Sequence, residues 1–222
     1  MEPTADLRFY LQIHARLRAD SARYVAAVET DRTRRSALRR WAEGFVDELL
    51  EHHHAEDDHL FPDLAARVPA SRMVLARLDA DHRLLDDVLE RWVAAARDIS
   101  KRDRPFVESR DELLATSIEL RDHLAEHLGI EDADIIPLFI RHYSAAEYGA
   151  LQARAAADAR KQGIAFYVPW IVDALEGDVR EQVLSEAPLA MRLLWRATRR
   201  RHAKLVAATF AGVPEPAPRA AA

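Results

Sequence analysis

The chain has 222 residues, 49% hydrophobic and 31% charged, with a net charge of −5. That is enough apolar material for a compact domain with a real core, and the acidic balance gives no reason to expect nucleic acid as a main partner. Cysteine is absent, which excludes disulfides, iron–sulfur clusters and thiolate zinc sites.

The sequence reads as helical throughout. Ala, Leu, Arg and Glu dominate and glycine is scarce. No signal-peptide core and no apolar run of about 18 residues appears, so a cytoplasmic protein without an integral membrane segment is expected. A first helix is predicted from about Asp6 to about Val28, with Leu7, Leu11, His14, Leu17, Ser21, Tyr24 and Val28 on one stripe. After a turn near Thr30, a second helix runs to about Leu60. Its stripe is Leu38, Trp41, Phe45, Leu49, His52, Glu56 and Leu60, an apolar seam that turns polar near its end without changing register. Pro62 is expected to end that helix.

Ser71 is a candidate N-cap for a third helix, whose stripe is Leu75, Leu78, His82, Leu85, Leu89, Trp92 and Ala96. Pro105 suits the first turn of a fourth helix, which carries Leu113, Leu120, His123, His127 and Glu131 before Pro137. Four long helices with short links imply an all-α, up-down-up-down bundle over residues 1–140, each helix placing a histidine on its inward stripe. Residues 141–212 are expected to form a helical extension packed on the bundle. It has a capping box at Ser144 and Glu147 and a basic amphipathic helix from Leu189 to about Phe210. Residues 213–222, rich in Pro and Ala, are expected to be disordered.

Two segments share one frame. His52 is followed by Glu56 and Pro62; His127 is followed by Glu131 and Pro137. On a helix, residues four apart share a face. Neutral imidazoles with carboxylates and no thiols suit Fe, Mn or Zn. A carboxylate can bridge two metals, so two such motifs on two helices fit a dinuclear centre. Glu56 and Glu131 would bridge, His14 and His52 would hold one metal, and His82 and His127 the other. A lone inward histidine is more often a core residue, but burying this set without a cation would cost several kcal/mol in unpaired polar groups.

The set His14, His52 through Glu56 with Leu60 and Pro62, His82, and His127 through Glu131 with Pro137 resembles the hemerythrin-like family, the HHE cation-binding domains. The stretch after Ile140 more loosely resembles the C-terminal region of actinobacterial members. The resemblance implies a four-helix bundle with a non-haem diiron centre, with Mn or a mixed Fe/Mn pair as the alternative, and roles from O2 binding to peroxide handling. The third helix departs from the oxygen-carrier pattern: Asp86 stands four residues after His82, where that pattern has a second histidine. Asp86 ligates, or His123 fills the place, or the position is open to solvent; an open position favours reactivity over reversible O2 storage.

Several other residues carry weaker readings. His53 and His54 lie about 100° and 200° around the helix from His52 and are expected at the surface or hydrogen-bonded to a ligand, with a His53/Asp57 register as the alternative. His59 is either a neighbour of the ligands or exposed. Asp57 and Asp132 can hold a ligand from outside the site. His142 and His202 are expected on the surface. A ferritin-like site needs Glu-x-x-His on two helices, and the fourth helix has none.

The leading functional reading is a diiron protein taking O2 or H2O2. The alternatives are a diiron oxidase of a small organic substrate, walled by Phe166, Tyr167, Trp170 and Trp195, and a non-catalytic sensor ordered by iron. The basic helix is expected to pack its Leu/Trp stripe on the bundle or a second copy, ahead of a membrane contact and a nucleic-acid contact. A monomer or homodimer is expected.

Overall fold

The computed structural model describes residues 4–30, 33–99, 101, 105–159 and 163–214. Its framework is four long helices: α1 (Arg8–Glu29), α2 (Arg35–Ala55), α4 (Arg72–Asp98) and α5 (Phe106–Ile130). They form an up-down-up-down bundle in which α5 packs between α1 and α4, and α4 also packs on α2. Shorter helices follow the ends of α2 and α5: α3 (Phe61–Arg67) and α6 (Ile136–His142), then α7 (Ala145–Asp158). The chain finishes with α8 (Ile164–Ala174), α9 (Gly177–Glu186) and α10 (Leu189–Thr209). No strand forms among the described residues, only an isolated bridge between Thr4 and Ser144.

Neither Pro62 nor Pro137 ends its helix. A proline inside an α-helix lacks an N–H and its ring meets the carbonyl four residues back. Here the backbone widens to a π-turn just ahead of each proline, over Glu56–Leu60 and Glu131–Ile135. The Phe61 N–H donates to the Glu56 carbonyl and the Ile136 N–H to that of Glu131. The extra residue in the turn makes room for the ring, and each helix resumes as α3 or α6. Both π-turns start at the glutamate of the repeated motif.

Other helix ends also differ from the sequence expectation. Ser71 does not cap α4; it closes a 3-10 turn over Pro69–Ser71, and its hydroxyl donates to the Val68 carbonyl. Pro105 stands just before α5 rather than within its first turn. The Ser144/Glu147 capping box forms at the start of α7, with both reciprocal bonds.

Two apolar clusters fill the interior. One is built by Leu17, Tyr24, Trp41, Phe45, Leu49, Leu85, Trp92, Leu120 and Leu124. The other closes the opposite end with Tyr10, Leu60, Leu64, Leu78, Ile135, Phe139, Tyr148 and Leu151. The stripes on α2 and α4 are buried along their length except at His52, which is slightly exposed. On α1, Leu11 turns outward at 41% exposure and Tyr10 takes the inner place. On α5, His123 is exposed and Leu124 faces the core.

The C-terminal helices fill a gap in the ring. α8 lies against both α1 and α2, and α10 packs on α8 and α2. Trp170 is fully buried and donates its indole N–H to Asp20 Oδ2 at 2.9 Å. His202 is buried at 2% exposure, not on the surface; Asp173 holds its Nδ1 at 3.1 Å, and Trp41 and Phe166 flank its ring. The Leu/Trp stripe expected to pack α10 is only part of its seat: Leu189 and Leu193 are exposed, while Thr209 and Phe210 are buried. Val213 packs against the core, and the rest of the tail from 215 lies outside the described residues.

Candidate metal centre

A polar layer separates the two apolar clusters. α1 brings His14, α2 brings His52 and His53, α4 brings His82, and α5 brings His127; Glu56 and Glu131 enter from the first residues of the two π-turns. His14 and Glu131 are at 0% exposure, Glu56 at 1%, His82 and His127 at 2%, and His53 at 3%. Apolar side chains above and below, with α3, α6 and α7 closing one end, bury this layer.

The donor atoms form two overlapping groups. His14, His52, Glu56 and Glu131 make one; Glu56, His82, His127 and Glu131 make the other, and the ligand atoms within each lie within 4.8 Å of one another. The carboxylates are shared. Glu56 turns Oε1 to His52 Nε2 at 3.2 Å and Oε2 to His82 Nε2 at 3.5 Å. Glu131 turns Oε2 to His14 Nε2 at 3.1 Å and Oε1 to His127 Nε2 at 2.7 Å. Each glutamate therefore addresses both histidine groups with separate oxygens.

These residues fit a cation. His14 Nε2, His52 Nε2, Glu56 Oε2 and Glu131 Oε1 are buried and make no hydrogen bond, although the ring nitrogens and oxygens stand close together. His82 Nε2 and His127 Nε2 face one another at 3.1 Å. Inward-facing donor atoms without partners carry the cost of buried unpaired polar groups, and a coordinated cation removes it.

His53 belongs to this layer and not to the surface. It forms a third donor group with His82 and His127. Its ring stacks on that of His82, with centroids 4.2 Å apart and planes 15° apart. Asp86 Oδ1 lies 3.5 Å from His53 Nδ1, but Asp86 is half exposed and stands outside the donor groups. His123 is exposed, and His59 pairs with Asp158 at 3.2 Å; both also lie outside them.

Carboxylates fix the outer edges of two histidines. Asp132 Oδ1 holds His14 Nδ1 at 2.8 Å, and Arg18 holds Asp132 at 2.6 Å. Asp57 Oδ1 holds His82 Nδ1 at 2.9 Å. Such partners orient a ligating imidazole and raise its basicity. Sequence reading missed Tyr10. Its hydroxyl hydrogen-bonds to Glu56 and, at 3.0 Å, to Glu131, tying the two carboxylates together. Its position four residues before His14, on the same helix face, is the signal that could have found it.

Protonation divides the histidines. Burial disfavours the charged form of His14, His52, His53 and His82. For His14, the neighbouring carboxylates of Asp132 and Glu131 overcome burial and raise the pKa to about 9. For His82, Asp57 and Glu131 raise it to about 10. His53 is pushed down to about 4 by burial, and His52 falls well below its usual range through burial and the nearby charge of His14. The metal-free cluster thus holds protons on His14 and His82 where a cation would sit.

A helical bundle with a buried layer of histidines sharing two glutamates is the architecture of a cation-binding protein. The family model described as the hemerythrin HHE cation binding domain matches residues 6–163, and the chain belongs to that family. A search of curated proteins finds no match to the chain, and a search of solved structures finds none. Among the described residues, no helix is long and apolar enough to cross a membrane.

Proposed function

We propose that the cluster holds a pair of iron ions and that the protein binds O2 or handles peroxide there. The observation that carries this reading is the division of each glutamate between the two histidine groups, the geometry of a carboxylate that bridges two ions. His14 and His52 take one ion. His53, His82 and His127 take the other, with His53 supplying from α2 a donor that α4 lacks. When bound, an iron pair would supply the electrons that reduce a small oxidant; manganese in one or both positions is the alternative that the same donors would accept.

The chain's own residues set the terms of that chemistry. Tyr10 holds a proton against the two carboxylates and restrains their rotation. Asp57 and Asp132 keep the Nδ1 edges of His82 and His14 engaged, so that Nε2 faces inward. The burial of the layer favours a diatomic or peroxide ligand over an organic substrate. Phe166 and Trp170 do not wall a pocket over the cluster; they pack at Trp41 and Phe45 of α2, about two to three turns away. Residues 6–163 are proposed as the metal-binding unit, with α8 to α10 as an extension that completes the bundle wall.

The test is to reduce the iron-loaded protein anaerobically, then add O2 and, separately, H2O2. A new near-ultraviolet or visible band with each, and gas evolution with peroxide, is the expected result. No spectral response to either oxidant from a fully iron-loaded protein would refute the O2 and peroxide reading.

A further inference from the structure

Helix α10 is unlike the rest of the surface. Between Leu189 and Thr209 it carries Arg192, Arg196, Arg199, Arg200, Arg201 and Lys204 and no acidic residue. All six cations are exposed, and none has a carboxylate partner among the described residues. The Arg199 guanidinium lies over the Trp195 ring at 5.2 Å. Several exposed arginines elsewhere sit against acids: Arg67 on Glu147, Arg83 on Asp79, Arg91 on Glu119, Arg154 on Asp63. In a chain of net charge −5, this is a concentrated cationic ridge about 18 Å long.

The ridge also carries apolar side chains. Leu189, Leu193, Arg196 and Arg200 follow one another at helical spacing along a single outward line. Leu189 is 64% exposed and Leu193 53% exposed, the side of the helix away from buried His202 and Thr209. Water gives nothing to these leucines. A second copy of this face would bring cations against cations. A nucleic-acid backbone would satisfy the arginines and leave the leucines idle.

We propose that the outward face of α10 docks on an anionic phospholipid surface. Leu189 and Leu193 enter the headgroup region at one end of the helix, and Arg192, Arg196, Arg200 and Lys204 meet lipid phosphates along it. A surface of this kind accommodates both features, since basic residues near it gain from its negative potential and leucines from its apolar boundary. The helix lies on the membrane and does not cross it. The proposal stands independently of the metal.

The experiment is co-sedimentation of the full chain with phosphatidylcholine vesicles with and without phosphatidylglycerol. Binding is expected only with phosphatidylglycerol, and it should fall as salt rises. Arg196→Glu with Arg200→Glu should weaken it at least about tenfold; Arg196→Lys with Arg200→Lys should retain it. Leu189→Ser with Leu193→Ser should also weaken it. All these side chains are exposed, and unchanged circular dichroism and metal content check that each variant folds. No binding to anionic vesicles, equal binding to neutral ones, indifference to the charge reversal, or binding to duplex DNA in place of vesicles would each overturn the proposal.

Discussion

Gly44 lies on α2 where Phe166 of α8 meets the helix backbone. A Cβ at Gly44 would stand 2.4 Å from both Cγ and Cδ2 of the Phe166 ring, where carbon atoms in contact need about 3.5–4.0 Å. Two effects oppose one another in Gly44→Ala. Alanine is favoured over glycine inside a helix by about 1 kcal/mol. Forcing the ring aside costs about 1–3 kcal/mol as overpacking, and Phe166 has little room to move. It packs on Trp41 at 5.1 Å and His202 at 5.3 Å between centroids. The steric cost wins, so Gly44→Ala should destabilise the protein by about 1 kcal/mol. In a Phe166→Ala background the ring is gone, and the same substitution should stabilise by about 1 kcal/mol. Urea unfolding of the four proteins, followed by circular dichroism at fixed metal loading, measures the coupling, expected at about 2 kcal/mol. If Gly44→Ala stabilises the wild-type chain, or if the two changes add, α8 does not sit on α2 as described.

Further predictions concern the cluster and its supports. His53→Ala should lose one metal position and keep the other, whereas His123→Ala should keep both; metal analysis after desalting checks this, and equal content in both variants would remove His53 from the ligand set. Metal uptake should release protons. His14, with a pKa of about 9, and His82, at about 10, are charged at neutral pH without metal, so a cation displaces their protons and affinity rises from pH 6 to pH 8. Chelator competition across that range measures the slope, and a flat profile would contradict it. Asp20→Ala removes the buried acceptor shared by Trp170, Arg16 and Arg23. The loss should cost about 3–5 kcal/mol, read by urea unfolding; a change below about 1 kcal/mol would show that this network does not tie α1 to α8.

The bundle was legible because α2 and α4 each follow a single apolar period, and most of each stripe is buried. It was less legible at stripe edges. Tyr10 and Leu11, or His123 and Leu124, differ by about 100° around a helix, and spacing alone does not choose between them. The cluster of Leu64, Phe139 and Tyr148 decides for Tyr10, and that of Trp92 and Leu120 decides for Leu124.

His53 was hidden by the same rule. Periodicity assigns one inward direction per helix, but α2 has two neighbours at this level. His52 turns toward His14 of α1, with centroids 5.2 Å apart, and His53 toward His82 of α4. Adjacent residues therefore serve different parts of one cluster. The prolines misled for another reason. Their cost is absorbed by a π-turn, which sequence spacing does not announce. His202 sits among arginines in the sequence, yet the approach of α8 to Gly44 encloses it. Such long-range packing leaves no local signal.

Two ions sharing Glu56 and Glu131 are the core of the proposed centre. The most direct test is anaerobic titration of the metal-free protein with Fe(II), following bound iron and its spectra, in wild type and in Glu131→Ala. About two iron atoms per chain are expected for the wild type, as in other dinuclear helical-bundle sites, with loss of both positions' normal signature in the variant because each depends on that glutamate. Wild-type saturation at a single ion, or a Glu131→Ala variant that fills and responds like wild type, would contradict the shared-carboxylate centre.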